Sequence, residues 1–171
     1  MALTRLNNQA LTSITAAGLP TLTSSNMPTG SVVQVVQTTT TSAWYSTAAT
    51  TWEDVTGQTI TITPSSTSNK VLITLSAWGI ILNPYGCGIK LLRGSTGIHQ
   101  MESYVTDSQW CQGCYTFSYL DSPSTTSATT YKIQGYSQSQ SATAEFRFNY
   151  NNTSTPPDSP QSTMIAQEIV G

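Results

Sequence analysis

From Ser31 onward the apolar residues recur at every second position, and this alternation constrains the chain more than any other feature. Ile60 and Ile62 alternate with threonines in Thr59–Thr63. Val71, Ile73, Leu75 and Ala77 fall on one side of Val71–Ile80. Tyr115, Phe117 and Tyr119 share a side of Cys114–Leu120, and Tyr131 and Ile133 are opposed by Lys132 and Gln134. Phe146, Phe148 and Tyr150 share the face of a further strand. A period of two is that of a strand with one face on a core and one face in water. Additional runs, Ser31–Gln37, Ile89–Arg93, Ile98–Met101 and Thr163–Val170, and the short Ala43–Ser46 and Trp52–Val55, bring the expected total to about eight to ten antiparallel strands. Turn chemistry separates them at Pro64–Asn69, at Gly94-Ser95 as a hairpin, and at Pro156-Pro157-Asp158-Ser159-Pro160. No stretch carries a long 3.6-residue period. The layer rule then leaves a two-sheet sandwich or a barrel. No internal repeat points to a solenoid or propeller.

Residues 1–30 read differently. Leu3, Leu6, Leu11, Ile14, Leu19 and Leu22 are spread too widely for a strong helix or strand. Gly18-Leu19-Pro20 and Met27-Pro28-Thr29-Gly30 interrupt the segment. The expectation is an extended N-terminal arm over 1–30, with one helical turn around Ala10–Ala17, followed by a β-sandwich domain over 31–171.

Charge narrows the function. Only 8% of the 171 residues are charged, with six Lys and Arg against eight Asp and Glu. Serine and threonine make up roughly a third of the chain. Displacing counterions from phosphates takes clustered basic residues, and six scattered ones exclude a sequence-independent nucleic-acid binder. A polybasic membrane-surface segment is excluded for the same reason. The longest apolar stretch, Val71–Leu82, is broken by Thr74 and Ser76 and falls short of the roughly 20 residues of a spanning helix. Arg5 is followed by Leu-Asn-Asn-Gln rather than by an apolar run, so no signal peptide is expected and synthesis is expected in a cytoplasm. Disorder does not fit a chain with 37% hydrophobic residues gathered in periodic runs, four Trp and eight Tyr.

Two stretches carry a family resemblance. One is Leu3-Thr4-Arg5-Leu6-Asn7-Asn8-Gln9-Ala10-Leu11 with Ala17-Gly18-Leu19-Pro20 and Pro28-Thr29-Gly30-Ser31-Val32-Val33-Gln34-Val35-Val36. The other is Phe117-Ser118-Tyr119-Leu120-Asp121-Ser122-Pro123 leading to Tyr131-Lys132-Ile133-Gln134, with Ile60–Leu72 between the two. In order and over most of the chain these resemble virion structural proteins of tailed bacteriophages, especially marine and cyanobacterial ones. There, similar domains occur as capsid-surface proteins and as fibre heads. The resemblance implies an all-β, antiparallel, jelly-roll-like sandwich that forms a homotrimer, similar in outline to tumour-necrosis-factor-like heads. Turn and strand residues define it rather than chemistry. No long fibre shaft is present, which favours a small surface component.

Candidate chemistry is sparse. Cys111-Gln112-Gly113-Cys114, Cys87 and His99 offer three thiolates and an imidazole, the ligand types of a zinc site. One Cys-x-x-Cys without a second pair is a weak signal, and unlinked thiols, a Cys111–Cys114 disulfide and a metal site stay open, with unlinked thiols favoured by cytoplasmic synthesis. No metal and no cofactor is expected. His99 has no Gly-x-Ser-x-Gly elbow to serve and reads as a surface or hairpin histidine. Glycoside cleavage needs two carboxylates at a fixed separation. The acids are Glu53, Asp54, Glu102, Asp107, Asp121, Glu145, Asp158 and Glu168; Glu53 and Asp54 are adjacent and face opposite ways in a strand, and Asp121 reads as an Asx turn before Ser122-Pro123. Asn151-Asn152-Thr153 and Asn152-Thr153-Ser154 match a glycosylation acceptor but read as a polar loop. Among the aromatics Trp44, Tyr45, Trp52, Trp78, Tyr85, Tyr104 and Trp110, most serve the core or subunit contacts. Tyr85, Tyr104 and Trp110 lie near loops and are candidate distal contacts with a partner.

The expectation is therefore a non-enzymatic virion structural protein with no catalytic residues, on the outer surface of the particle. It is a homotrimer whose Leu3, Leu6, Leu11, Ile14, Leu19 and Leu22 dock the arm on the major capsid protein or other virion proteins. A capsid decoration or cement role is preferred, and a tail- or head-fibre tip binding a host receptor or surface glycan is the alternative. Nucleic acid and membrane insertion are not expected.

Overall fold

The computed structural model describes residues 26–81, 86–104, 111–138, 146–150 and 160–171. Ten strands run in order: β1 (Val32–Thr40), β2 (Trp44–Tyr45), β3 (Trp52–Ile62), β4 (Lys70–Ile81), β5 (Gly86–Arg93), β6 (Thr96–Tyr104), β7 (Cys111–Asp121), β8 (Thr129–Ser137), β9 (Phe146–Phe148) and β10 (Ser162–Ile169). No α-helix occurs among the described residues. Every strand pairing is antiparallel.

Two sheets form. In the first, β4 pairs with β7 along one edge. Its other edge takes β10 against Lys70–Ser76 and the short β9 against Gly79–Ile81. Beyond these lie β1 on β10 and β2 on β9. The second sheet has the order β3-β8-β5-β6. With β2 and β9 set aside, the pairs nest inside one another: β5 with β6, β4 with β7, β3 with β8, β1 with β10. This is a long hairpin of paired strands rolled into two four-stranded sheets, the double Greek key arrangement. The fold is a jelly roll.

Alternation decides which side of each strand is inside. In β10, Ser162, Met164, Ala166 and Glu168 are buried between half-buried neighbours. In β8, Tyr131, Ile133 and Gly135 do the same. From β4, Val71, Ile73, Leu75 and Ala77 join them in one core. At the β2–β9 end the core is aromatic. Phe146 and Phe148 pack at 4.7 Å between ring centroids, with Trp44 5.8 Å from Phe148 and Tyr115 5.3 Å from Phe146. Edge-on ring contacts of this kind suit the aromatic quadrupole.

Two readings of the sequence change here. Trp52–Val55 and Thr59–Thr63 belong to one strand, β3, whose register against β8 shifts between Asp54 and Thr59. The extra residues form a bulge, and Gly57 sits in it at φ +79° with its α-carbon against the Thr40 side chain. A side chain there would meet both a left-handed backbone and Thr40. Secondly, Tyr150 does not continue the face of Phe146 and Phe148. Asn149 takes φ +50°, the strand stops at Phe148, and the Tyr150 ring turns back beneath the Arg147 guanidinium at 4.1 Å.

One polar cluster in the interior is matched across the layers, whereas the buried Gln58 amide finds no hydrogen-bond partner. Asp121, at the end of β7 in the first sheet, accepts two hydrogen bonds of 2.9 Å from Arg93 Nη1 and one of 2.7 Å from Tyr131 Oη, both residues of the second sheet. Asp121 is thus a clasp between the sheets rather than the start of an Asx turn.

Candidate functional site

The first sheet turns an apolar strip outward. Val35 pairs with Gln167, Gln167 with Leu72, and Leu72 with Leu120, so one row crosses four strands. In the next row Val32 pairs with Ile169. Val35 is 58% exposed, and Val32 and Leu120 are each 46% exposed. Ile165 and Ile169 lie on the same outward face of β10 as half-buried side chains. The strip is aliphatic except for Gln167 in its middle, and exposed aliphatic side chains gathered on a sheet face are of the kind found at protein contacts. Tyr45 on β2 adds a further exposed ring, 55% accessible.

The strip lies where the N-terminal segment joins the sandwich. The Gly30 N–H donates to Val170 O at 2.8 Å, and the Val170 N–H donates to Ser31 O at 2.9 Å. Ser31 N–H closes a turn on Pro28 O at 3.0 Å. A chain entering at Pro28 is therefore tied to the sheet at Gly30 and Ser31, immediately before Val32 and the strip. Leu3, Leu6, Leu11, Ile14, Leu19 and Leu22 lie outside the described residues.

The acidic side chains hold loops in place. Glu53 accepts from the Thr47 and Ala48 N–H groups and from Thr47 Oγ1. Asp54, on the opposite face, takes Lys132 Nζ at 2.7 Å and Gln134 Nε2 at 2.8 Å. Glu168 is 1% exposed and gathers Ser65 N at 2.6 Å, Ser65 Oγ at 2.7 Å and Asn69 Nδ2 at 2.6 Å on one oxygen, tying the β3–β4 loop to β10. Burial alone pushes the Glu168 carboxyl up, but these donors outweigh it and hold it below the ordinary glutamate value of 4.5. A group whose folded value lies below its unfolded value stabilises the fold above the unfolded value, and that contribution is lost as pH falls through the folded value. Glu53 and Asp54 are lowered as well. Stability is therefore expected to fall with acidification from about pH 4.5 downward. Glu168→Gln should cost about 1–3 kcal/mol at pH 7 and flatten that acid limb, as read by urea titrations at several pH values. An acid limb equally steep in the variant would show that Glu168 does not drive it.

The other sequence candidates do not converge. Cys87 is buried inside β5, 3.8 Å from Tyr115 Oη, whereas Cys114 is exposed on the outer face of β7. His99, on β6, stacks on Tyr119 at 5.2 Å and 24° and leans on Phe117 at 5.2 Å, bridging the open edge between the sheets. Among the described residues no three His, Cys, Asp or Glu side chains could hold a metal ion. Tyr104, 63% exposed, ends β6 on the second sheet. Tyr85, Trp110, Asp107, Glu145, Asp158 and the Asn151–Thr153 acceptor pattern lie outside the described residues. Sequence reasoning missed the Val32–Val35–Leu120 strip, because its members come from two strands, β1 and β7, that only the fold brings into one sheet; the doubled valines of β1 were its one local signal.

No family model matches the sequence, and no curated protein matches it. Among solved structures, one similar chain comes from Bacillus endospore appendages described as a novel family of disulfide-linked pili. It is 12% identical with a TM-score of 0.34, over 85% of this chain and 96% of that chain. Another comes from the Gx strain of infectious bursal disease virus, 13% identical with a TM-score of 0.36, over 81% of this chain and 37% of that chain.

Proposed function

We propose that this chain is a non-enzymatic virion structural protein of a tailed bacteriophage, a capsid decoration protein on the outer surface of the particle. The observation that carries the reading is the exposed apolar strip on the β1–β10–β4–β7 face, next to the point where an aliphatic-studded N-terminal segment enters. The work is divided between the two parts. Three copies form a homotrimer by covering the strip. The arm, residues 1–30, lays Leu3, Leu6, Leu11, Ile14, Leu19 and Leu22 on the major capsid protein or its virion neighbours. The acidic groups support a structural role as well: the described Glu53 and Glu168 hold loops, Asp121 joins the two sheets, and Asp54 pairs across adjacent strands on the surface. A hydroxyl-covered, charge-poor exterior then keeps the assembled surface soluble.

A fibre tip is the second reading, and the exposed Tyr104 at the end of β6 favours it. A jelly roll serves both, so the fold does not choose between them. Location does. Purified particles are to be examined for the position and abundance of this chain, by cryo-electron microscopy with quantitative mass spectrometry. Many copies spread over the capsid are expected. A few copies confined to a tail or fibre end would replace the decoration reading with the fibre reading, and absence from particles would overturn both.

A further inference from the structure

The outer face of the second sheet carries a pocket that attachment does not use. Trp52 pairs with Tyr136, Tyr136 with Gly88, and Gly88 with Glu102, so one transverse row draws on all four strands. The Trp52 and Tyr136 rings lie 5.1 Å apart at 35°. Lys90 Nζ stands 3.8 Å from the centre of the indole. Gly88 makes this arrangement fit, because a β-carbon there would come within 2.7 Å of the indole edge and lift it off the sheet. One row further on, Gly86 pairs with Tyr104. The result is a pocket of about 470 Å³ with Trp52, Tyr136 and Tyr104 as aromatic walls and Gln100, Glu102 and Gln138 among its polar lining.

We propose that this pocket binds a neutral pyranose sugar of a glycan. A pyranose ring presents C–H groups on its faces and hydroxyls around its rim. The C–H face is complementary to the electron-rich face of an aromatic ring. The hydroxyl rim asks for donors and acceptors close together, which side-chain amides and carboxylates supply. Here those groups are already held in place. Gln138 Oε1 accepts the Gly86 N–H at 3.1 Å, which leaves its NH₂ to offer as a donor. Gln100 Nε2 donates to Glu102 Oε1, which leaves the Gln100 carbonyl and the second Glu102 oxygen as acceptors. Ordering them beforehand lowers the entropy lost on binding. The volume lies in the range of small-ligand sites, roughly 300–1,000 Å³. Glu102 opposes phosphorylated or acidic ligands, and Lys90 is engaged with the indole.

The site is independent of where the protein sits on a particle, and the isolated full chain tests it. The probes are cellobiose, maltose, lactose and N,N′-diacetylchitobiose, titrated while the amide signals of Gly86, Gly88 and Tyr104 and the Trp52 indole N–H are followed by NMR. At least one disaccharide is expected to give saturable shifts confined to these groups, with a Kd of about 0.1–10 mM. Tyr104→Ala, which removes an exposed ring without touching the core, should weaken that binding by about tenfold or more. Glu102→Gln, which replaces the free carboxylate oxygen by an amide donor, should weaken it by about threefold or more. The proposal is overturned if none of the four sugars gives saturable shifts up to about 50 mM, or if Tyr104→Ala leaves the affinity unchanged.

Discussion

Replacing Asp121 with alanine is expected to destabilise the jelly roll by about 3 kcal/mol. Asp121 is 6% exposed and is the shared acceptor for Arg93 and Tyr131. Removing one partner of a buried ion pair usually costs about 3–5 kcal/mol, because the other is left charged and unpaired. Arg93 moderates this, since its side chain is 34% accessible and can turn to water. Tyr131 cannot, being fully buried. Burial, and then the hydrogen bond to Asp121, push the Tyr131 phenol well above its usual value, so it remains a donor and needs an acceptor. Tyr131→Phe removes only that donor and should cost about 1 kcal/mol. The double variant should be less destabilised than the sum of the singles, because the phenol no longer lacks a partner once it is gone. For a chain of this size, 3 kcal/mol lowers Tm by roughly 6–12 °C. Urea denaturation of the four proteins measures the cycle. A loss under about 1 kcal/mol for Asp121→Ala, or strict additivity, would show that the clasp between the sheets contributes little.

The strands were legible in the sequence because burial on one face writes itself into every second residue. Val71–Ala77, Tyr115–Tyr119 and Tyr131–Ile133 each lie in the strand expected, with the expected face inward. What alternation cannot carry is a break in its own phase. The bulge at Gly57 shifted the period in β3, so one strand read as two. Asn149 ended β9 by a left-handed backbone, which left Tyr150 with an apparent phase it does not use. Long-range pairing is equally silent. Asp121 looked like turn chemistry because its neighbours are Ser122 and Pro123, while Arg93 and Tyr131 reach it only once the sheets stack. The aromatic pocket needs Trp52, Gly88 and Tyr136 from three strands in register. Gly88 was its only local sign, as a glycine within a strand marks close approach of another group. Tyr104 could be singled out from the sequence as a contact residue, but the company it keeps could not.

Deleting residues 1–27 is expected to leave the sandwich folded and the mass of the assembly per copy unchanged in kind, while abolishing attachment to particles. The cut falls just before the first tie to the sheet. Ser31 N–H still reaches Pro28 O, and Gly30 and Ser31 still pair with Val170. The exposed strip of Val32, Val35 and Leu120 also stays, so the proposed contacts between copies are expected to persist. What the deletion removes is Leu3, Leu6, Leu11, Ile14, Leu19 and Leu22, spaced too irregularly to bury one another in a helix or strand of their own. Each aliphatic side chain buried on a partner returns roughly 1.5–3 kcal/mol, and ordering the backbone that carries it takes back much of this. One arm alone is therefore a weak ligand. On the proposed trimer three arms would act together, because the first to engage would raise the effective concentration of the others and multiply overall affinity by roughly 10² or more. Loss of all three should then take occupancy on stripped particles from near saturation to background. The measurement pairs light-scattering mass with a particle pull-down for the full chain and the truncated one. A truncated chain that unfolds would place the arm in the protein's own core, and one that binds particles as well as the full chain does would move attachment to the sandwich face.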